Sequence, residues 1–248
     1  MSNLIYGINP LRAALEEEPE RIHKLFVARG RRKKRVEEVL LLARSLGVPL
    51  LFQPRQALDR MAGTSSHQGL VARMAPAPFV GFEEVAAAVE KRQQIPLLVA
   101  LDHIQDPHNL GAVVRSAEAM GAQAVIVPRH RSATPGGTAE KTAAGALRRI
   151  DLCRVPNLSR ALADLKELGL WVVGTAADEG SPPWELDLTG PLVVVVGGEE
   201  KGVRPALRTV CDFMAAVPMS GKTASLNASV AAGMMLYEIA RQRSSAPE

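Results

Sequence analysis

With 248 residues, 47% hydrophobic and 23% charged, the chain can bury one large or two modest cores and is not a disordered tail. Apolar runs such as Val39–Ala43 and Leu192–Val196 are far too short to span a membrane, Met1–Pro10 lacks the pattern of a secretory leader, and Cys153 and Cys211 suit neither a disulfide framework nor a zinc module, so a cytoplasmic protein with no membrane and no metal is expected. The net charge of +4 is uneven: up to Pro76 there are 13 Lys and Arg against 7 Asp and Glu, and beyond it 17 against 19, which turns the first part toward a polyanion.

Ile22–Ala28 reads as a short strand. After it come Arg29, Arg31, Arg32, Lys33, Lys34 and Arg35, a run dense enough to neutralise several phosphates at once, with a solvated loop as the competing reading. Arg35–Leu46 sets Val36, Val39, Leu40 and Ala43 at the spacing of an amphipathic helix, and Gly47 stops it. Val48–Phe52 and Gln68–Arg73 read as further strands, which makes residues 1–75 a compact α/β unit. Ala75-Pro76-Ala77-Pro78 continues neither element and opens a linker over 76–95, with a helical pattern at Phe82–Lys91.

The second unit, 96–248, strings together unbroken apolar runs: Leu97–Leu101, Ala124–Val127, Leu152–Val155, Leu170–Val173, Leu192–Val196 and Met214–Val217. Unbroken rather than alternating strands predict a mostly parallel sheet covered on both faces. A helix is expected from Asn109 to Met120, with Asn109 as its N-cap and Gly111 sharing a face with Arg115, where a missing side chain leaves a substrate room to approach. A cation in the first turns opposes the helix macrodipole, so Arg115 invites an anionic partner such as phosphate. Gly197-Gly198-Glu199-Glu200-Lys201-Gly202 lacks both dinucleotide and P-loop spacing, and its carboxylates suit a neutral or cationic ligand. In the last loop Ser225 could cap the final helix, while Asn227 and Ser229 are poor helix formers just inside its first turn. That helix is apolar nearly all round, as befits a core or a subunit interface.

Taken together, Asp106-Pro107-x-Asn109-x-Gly111-x-x-x-Arg115, Gly197-x-Glu199-x-x-Gly202 and Pro218-Met219-x-Gly221-x-x-x-Ser225-Leu226-Asn227-x-Ser229 resemble the three signature motifs of the SpoU (TrmH-like) RNA 2′-O-methyltransferases. Tyr6-Gly7-x-Asn9-Pro10 and His67-Gln68-Gly69 resemble landmarks of that family's substrate-binding domain, which is similar to ribosomal protein L30e. The resemblance implies a SPOUT-type trefoil-knotted catalytic domain, S-adenosylmethionine (AdoMet) as methyl donor, a homodimer, and methylation of a ribose 2′-hydroxyl, in this two-domain form on a guanosine of 23S ribosomal RNA. It also implies AdoMet contacts at Gly197, Val217 and Leu226, with neighbours Thr175, Met219 and Ser225, and polar active-site positions at Asn109, Arg115, Glu199 and Asn227. A transfer-RNA ribose methylase and a non-catalytic RNA-binding or ribosome-assembly factor are the alternatives. A guanidinium holds its proton tightly at neutral pH, so Arg115 is expected to clamp a phosphate and polarise the attacking hydroxyl before acting as a literal base. Few aromatics, 4% of the chain, favour recognition of structured RNA by backbone and shape over stacking on single strands.

Overall fold

A computed structural model describes residues 4–30, 33–91, 94–177, 179–198 and 202–245. The first unit runs β1 (Leu4–Tyr6), α1 (Ile8–Glu17), β2 (Ile22–Ala28), α2 (Lys34–Ser45), β3 (Leu50–Gln53), α3 (Arg55–Ala62) and β4 (Leu70–Met74). Its sheet has the order β1-β4-β2-β3, with β2 and β3 parallel and the other pairs antiparallel. The expected Gln68 start of β4 is too early. Gln68 and Gly69 have φ of +55° and +86°, a left-handed pair that extended backbone cannot accommodate. The turn ties the two landmark stretches together: Gln68 Oε1 accepts from Ile8 N at 2.9 Å, and buried His67 accepts from Gly69 N at 3.0 Å through Nδ1 and donates to Asp59 at 2.9 Å through Nε2.

Residues 77–91 are packed onto the second unit. Ala77 is buried in its core, Val80 bridges Cys153, and α4 (Phe82–Lys91) buries Val85 and Val89. The elements that follow are β5 (Leu97–Asp102), α5 (Pro107–Ala119), β6 (Ala124–Pro128), α6 (Gly137–Ala143), β7 (Asp151–Val155), α7 (Leu158–Glu167), β8 (Trp171–Ala176), β9 (Leu192–Gly197), α8 (Pro205–Arg208), β10 (Phe213–Ala216) and α9 (Ala228–Ser245). The six strands form one sheet, β10-β8-β9-β5-β6-β7, parallel throughout. All of β5, β6 and β9 is buried, which accounts for their unbroken apolar runs: Leu97, Val99 and Leu101 enter a core shared with α5 and α9, while Leu98 and Ala100 enter another with α4 and α7.

Cys153 lies in the second of these cores. Burial first, then the carboxylates of Glu83, Asp151 and Glu84, push its thiol up to about 11. A thiol whose folded pKa lies above its unfolded value stabilises the fold fully below pH ~9, and that contribution is lost as pH rises through the folded value. Melting followed from pH 8 to 11 should therefore show a decline that Cys153→Ala reduces, with native Cys153 resisting iodoacetamide at pH 8.

Two features tie distant segments together. Between the units, buried Arg21, held by its own neighbour Glu18, binds Glu140, Arg148 pairs with Glu17 and Glu18, and Lys141 donates to the Tyr6 hydroxyl. At the far end of α9, Arg243 donates to the carbonyls of Ile95, Pro96 and Gly190 at 3.2, 3.0 and 2.6 Å, and Gln242 joins Leu186 and Leu188. Burial pushes the Arg243 guanidinium below its ordinary pKa.

Candidate active site

In a parallel sheet every strand delivers its following loop to the same edge, where ligands of open α/β folds bind. Here the loops after β8, β9 and β10 meet the start of α9 around a cavity of about 330 Å³. Thr175, Ala176 and Ala177 form one wall, Gly197, Gly198 and Gly202 the second, and Val217, Met219, Ser225 and Leu226 the third, with Ala228, Ala231 and Met235 of α9 behind. All six positions expected to contact a cofactor line it. The Thr175 hydroxyl donates to Val195 O at 3.1 Å, so it also fastens β8 to β9. Arg208, which no motif marked, lines the same cavity, donating to Val203 O and pairing with Glu179 at 2.8 Å.

The glycines here are dictated by packing. A Cβ on Gly197 would lie 2.0 Å from Gly202 C, and Gly202 itself has φ +57° and donates to Gly198 O at 2.8 Å in a tight reversal. Gly111 differs from its expected role, because the space beside it is filled by α6: a Cβ would lie 2.4 Å from Ala139 O. It allows α5 and α6 to touch, and no substrate enters there.

A second cavity, of about 490 Å³, opens on the other side of Gly198 and Gly202. Asp102, His103, Gln105, Asp106, Asn109, Arg131 and Arg204 line it. Two expectations about caps are corrected at this point. Asp106, not Asn109, caps α5, accepting from His108 N at 2.8 Å ahead of Pro107, and Asn109 is buried inside the first turn. Asn227 lies before α9 rather than within it, its Oδ1 accepting from Ser229 N and Oγ at 2.9 and 2.6 Å, so Ser225 is not the cap. Asn227 Nδ2 in turn donates to Asn109 Oδ1 at 3.0 Å, joining the first and third motifs across 118 positions of sequence.

Arg115 lies on the exposed face of α5, lines neither cavity, and has no hydrogen bond or ion pair among the described residues. Glu199 lies outside the described residues, as do Arg31 and Arg32 of the basic run. Arg29, Lys33, Lys34 and Arg35 are exposed, the last two opening α2. Among the described residues, no His, Cys, Asp and Glu cluster could hold a metal and no helix is long and apolar enough to cross a membrane.

Comparison with known proteins gives the chain a family. Residues 96–237 match the SpoU rRNA Methylase family and residues 4–80 match the family described as RNA 2′-O ribose methyltransferase substrate binding. The chain belongs to the SpoU rRNA methylase family. It is 45% identical over 239 residues to the 23S rRNA (guanosine-2′-O-)-methyltransferase RlmB of Pseudomonas aeruginosa, covering 96% of both chains. It is 41% identical over 244 residues to the enzyme of that name from Escherichia coli, covering 98% of this chain and 100% of the other. The SpoU methyltransferase AviRb from Streptomyces viridochromogenes, solved in complex with AdoMet, superposes with a TM-score of 0.81 at 26% identity, covering 99% of this chain and 92% of that one.

Proposed function

We propose that this chain transfers a methyl group from AdoMet to the ribose 2′-hydroxyl of a guanosine in 23S ribosomal RNA. The observation that carries the reading is the Asn109–Asn227 hydrogen bond, which joins two of the three motifs where two cavities share a wall of glycine. The first cavity suits AdoMet: short side chains and backbone from three loops can flank an adenine and read its edges, while Met235 and Leu226 supply apolar surface. When bound, AdoMet supplies an activated sulfonium methyl whose leaving group departs neutral. The protein's share is alignment and management of one proton. Asn109 and Asn227 orient the ribose beside the shared wall, with Glu199 completing the polar set. Arg115, exposed on α5 outside both cavities, clamps the phosphate that neighbours the target ribose, and the hydroxyl proton leaves late. Arg115→Ala is expected to lower kcat by about 10²–10³-fold, as loss of a preorganised donor does, with AdoMet affinity by calorimetry unchanged. Arg115→Lys should recover little, because a point charge does not replace a planar fork.

On this reading residues 1–75 capture RNA, 76–95 connect, and 96–248 form the knotted transferase. Lys33, Lys34 and Arg35 bring cations to a helix N-terminus that is already positive, an unfavourable placement unless an anion sits opposite. Replacing Lys33, Lys34 and Arg35 by Gln should weaken RNA binding and flatten its salt dependence by about three phosphate contacts while sparing AdoMet binding. A second copy of the chain covers the apolar stripe of Val230, Met234 and Tyr237, exposed by 45, 44 and 61%. The setting is the cytoplasm, where ribosomal RNA is found. Mapping ribose methylations in ribosomal RNA from a deletion strain tests the substrate: one missing mark on a 23S guanosine is expected, and an unchanged 23S map would refute it. Failure of the chain to bind AdoMet would instead favour a non-catalytic RNA-binding factor.

A further inference from the structure

The second cavity is built around a buried carboxylate. Asp102 ends β5 with its side chain 0% exposed, and its oxygens accept from Arg204 N at 2.9 Å, Arg204 Nε at 2.8 Å and His103 Nδ1 at 2.7 Å. A buried charge needs such partners, and here it also fixes the direction of a guanidinium. The Arg204 side chain remains 41% exposed, and its Nη1 and Nη2 make no hydrogen bond among the described residues, so the terminal edge of the fork is presented to the cavity. The surrounding backbone is strained. Of the four non-glycine residues with positive φ among the described residues, two, His103 at +60° and Arg131 at +56°, line this cavity. Such conformations gather at ligand-binding sites.

Charge decides what the cavity accepts. Among its described lining residues, Arg131 and Arg204 are balanced by Asp102 and Asp106. A phosphate would require a positive surplus, whereas a neutral base with both donors and acceptors fits a balanced wall. Resting on the guanosine reading above, we propose that this cavity receives the guanine of the target nucleotide and that Arg204 is its specificity-determining residue, donating from Nη1 and Nη2 to O6 and N7. Asp102 positions that fork, and the remaining oxygen of Asp106 is available to accept from the base's N–H edge. Arginine paired in this way to guanine is the commonest base-specific contact proteins make.

The test compares RNA substrates carrying guanosine or 7-deazaguanosine at the target position, with wild-type enzyme and Arg204→Gln. For the wild type, removing N7 should lower kcat/KM by roughly 10-fold. Arg204→Gln should lower kcat/KM on guanosine RNA by roughly 10- to 100-fold, show little further loss with 7-deazaguanosine, and bind AdoMet as the wild type does. A wild type that methylates guanosine and 7-deazaguanosine equally overturns the inference while leaving the proposed function intact, and it does so whether or not the variant folds. A variant that keeps the full N7 dependence also overturns it, as does one that instead loses sensitivity to a methylphosphonate at the target phosphate. A wild type that marks a nucleotide other than guanosine defeats the proposed function itself.

Discussion

Gly197→Ala should yield a chain that melts well below the wild type and fails to bind AdoMet. β9 is hydrogen-bonded on both sides, to β8 and β5, so its end cannot move aside. The new methyl would lie 2.0, 2.2 and 2.3 Å from Gly202 C, Val203 N and Gly202 O, all backbone atoms with no rotamer in which to retreat. Displacing that backbone drags Val203 out of the second core and moves the glycine wall between the two cavities. Overpacking costs about 1–3 kcal/mol where side chains can adjust, and more where they cannot. With a total stability of roughly 5–15 kcal/mol, a loss above 3 kcal/mol should lower Tm by at least about 6–12 °C. Gly190→Ala is the control, since nothing lies within 4 Å of a Cβ there. Wild-type melting and AdoMet affinity in Gly197→Ala would contradict the backbone approach described above.

Arg21→Ala should have the second large effect, on the seam between the units. Arg21 and Glu140 are 8 and 4% exposed in their side chains, and Glu18 is 16% exposed. Burial alone would lower the Arg21 pKa, but its bonds to the two carboxylates outweigh that and hold it above its ordinary value. Removing the cation takes the guanidinium from buried Glu140 and leaves Glu18 to Arg148, a loss of about 3 kcal/mol. Differential scanning calorimetry should show the first unit melting earlier, and brief proteolysis should release it. Arg12→Ala breaks an exposed pair with Glu16 instead, and should change stability by less than about 0.5 kcal/mol. If both variants melt alike, the buried seam contributes nothing.

The contrast between these arginines shows what was legible in the sequence. Strands buried on both faces announce themselves as unbroken apolar runs, which is why the parallel sheet built on β5, β6 and β9 was foreseeable, while the helical spacing of Phe82, Val85 and Val89 marked α4. The six positions expected to contact a cofactor meet in one cavity, and that convergence was readable only through the resemblance to a family, because 51 positions of sequence carry no periodicity linking Thr175 to Leu226. Contacts between remote polar residues left no trace. Arg204 and Asp102 are 102 positions apart, Arg21 and Glu140 are 119 apart, and nothing local distinguishes either arginine from a surface one. The caps were misread for a simpler reason: Asp106, Asn109, Ser225 and Asn227 all have capping chemistry, and the choice among them depends on where the helix begins.

The two ends of α9 do separate jobs. Its first turns furnish the back of the cavity lined by Thr175, Gly197 and Leu226, and Arg243 near its other end bolts together the segments that enter β5 and β9. Ribosomes deliver polypeptide from the amino terminus onward, so every strand of the sheet emerges before this helix does. A nascent chain thus holds every strand of the sheet before it has either a floor to that cavity or a clasp across the opposite rim. Competence to modify RNA is consequently withheld until translation has passed the whole of the catalytic sheet.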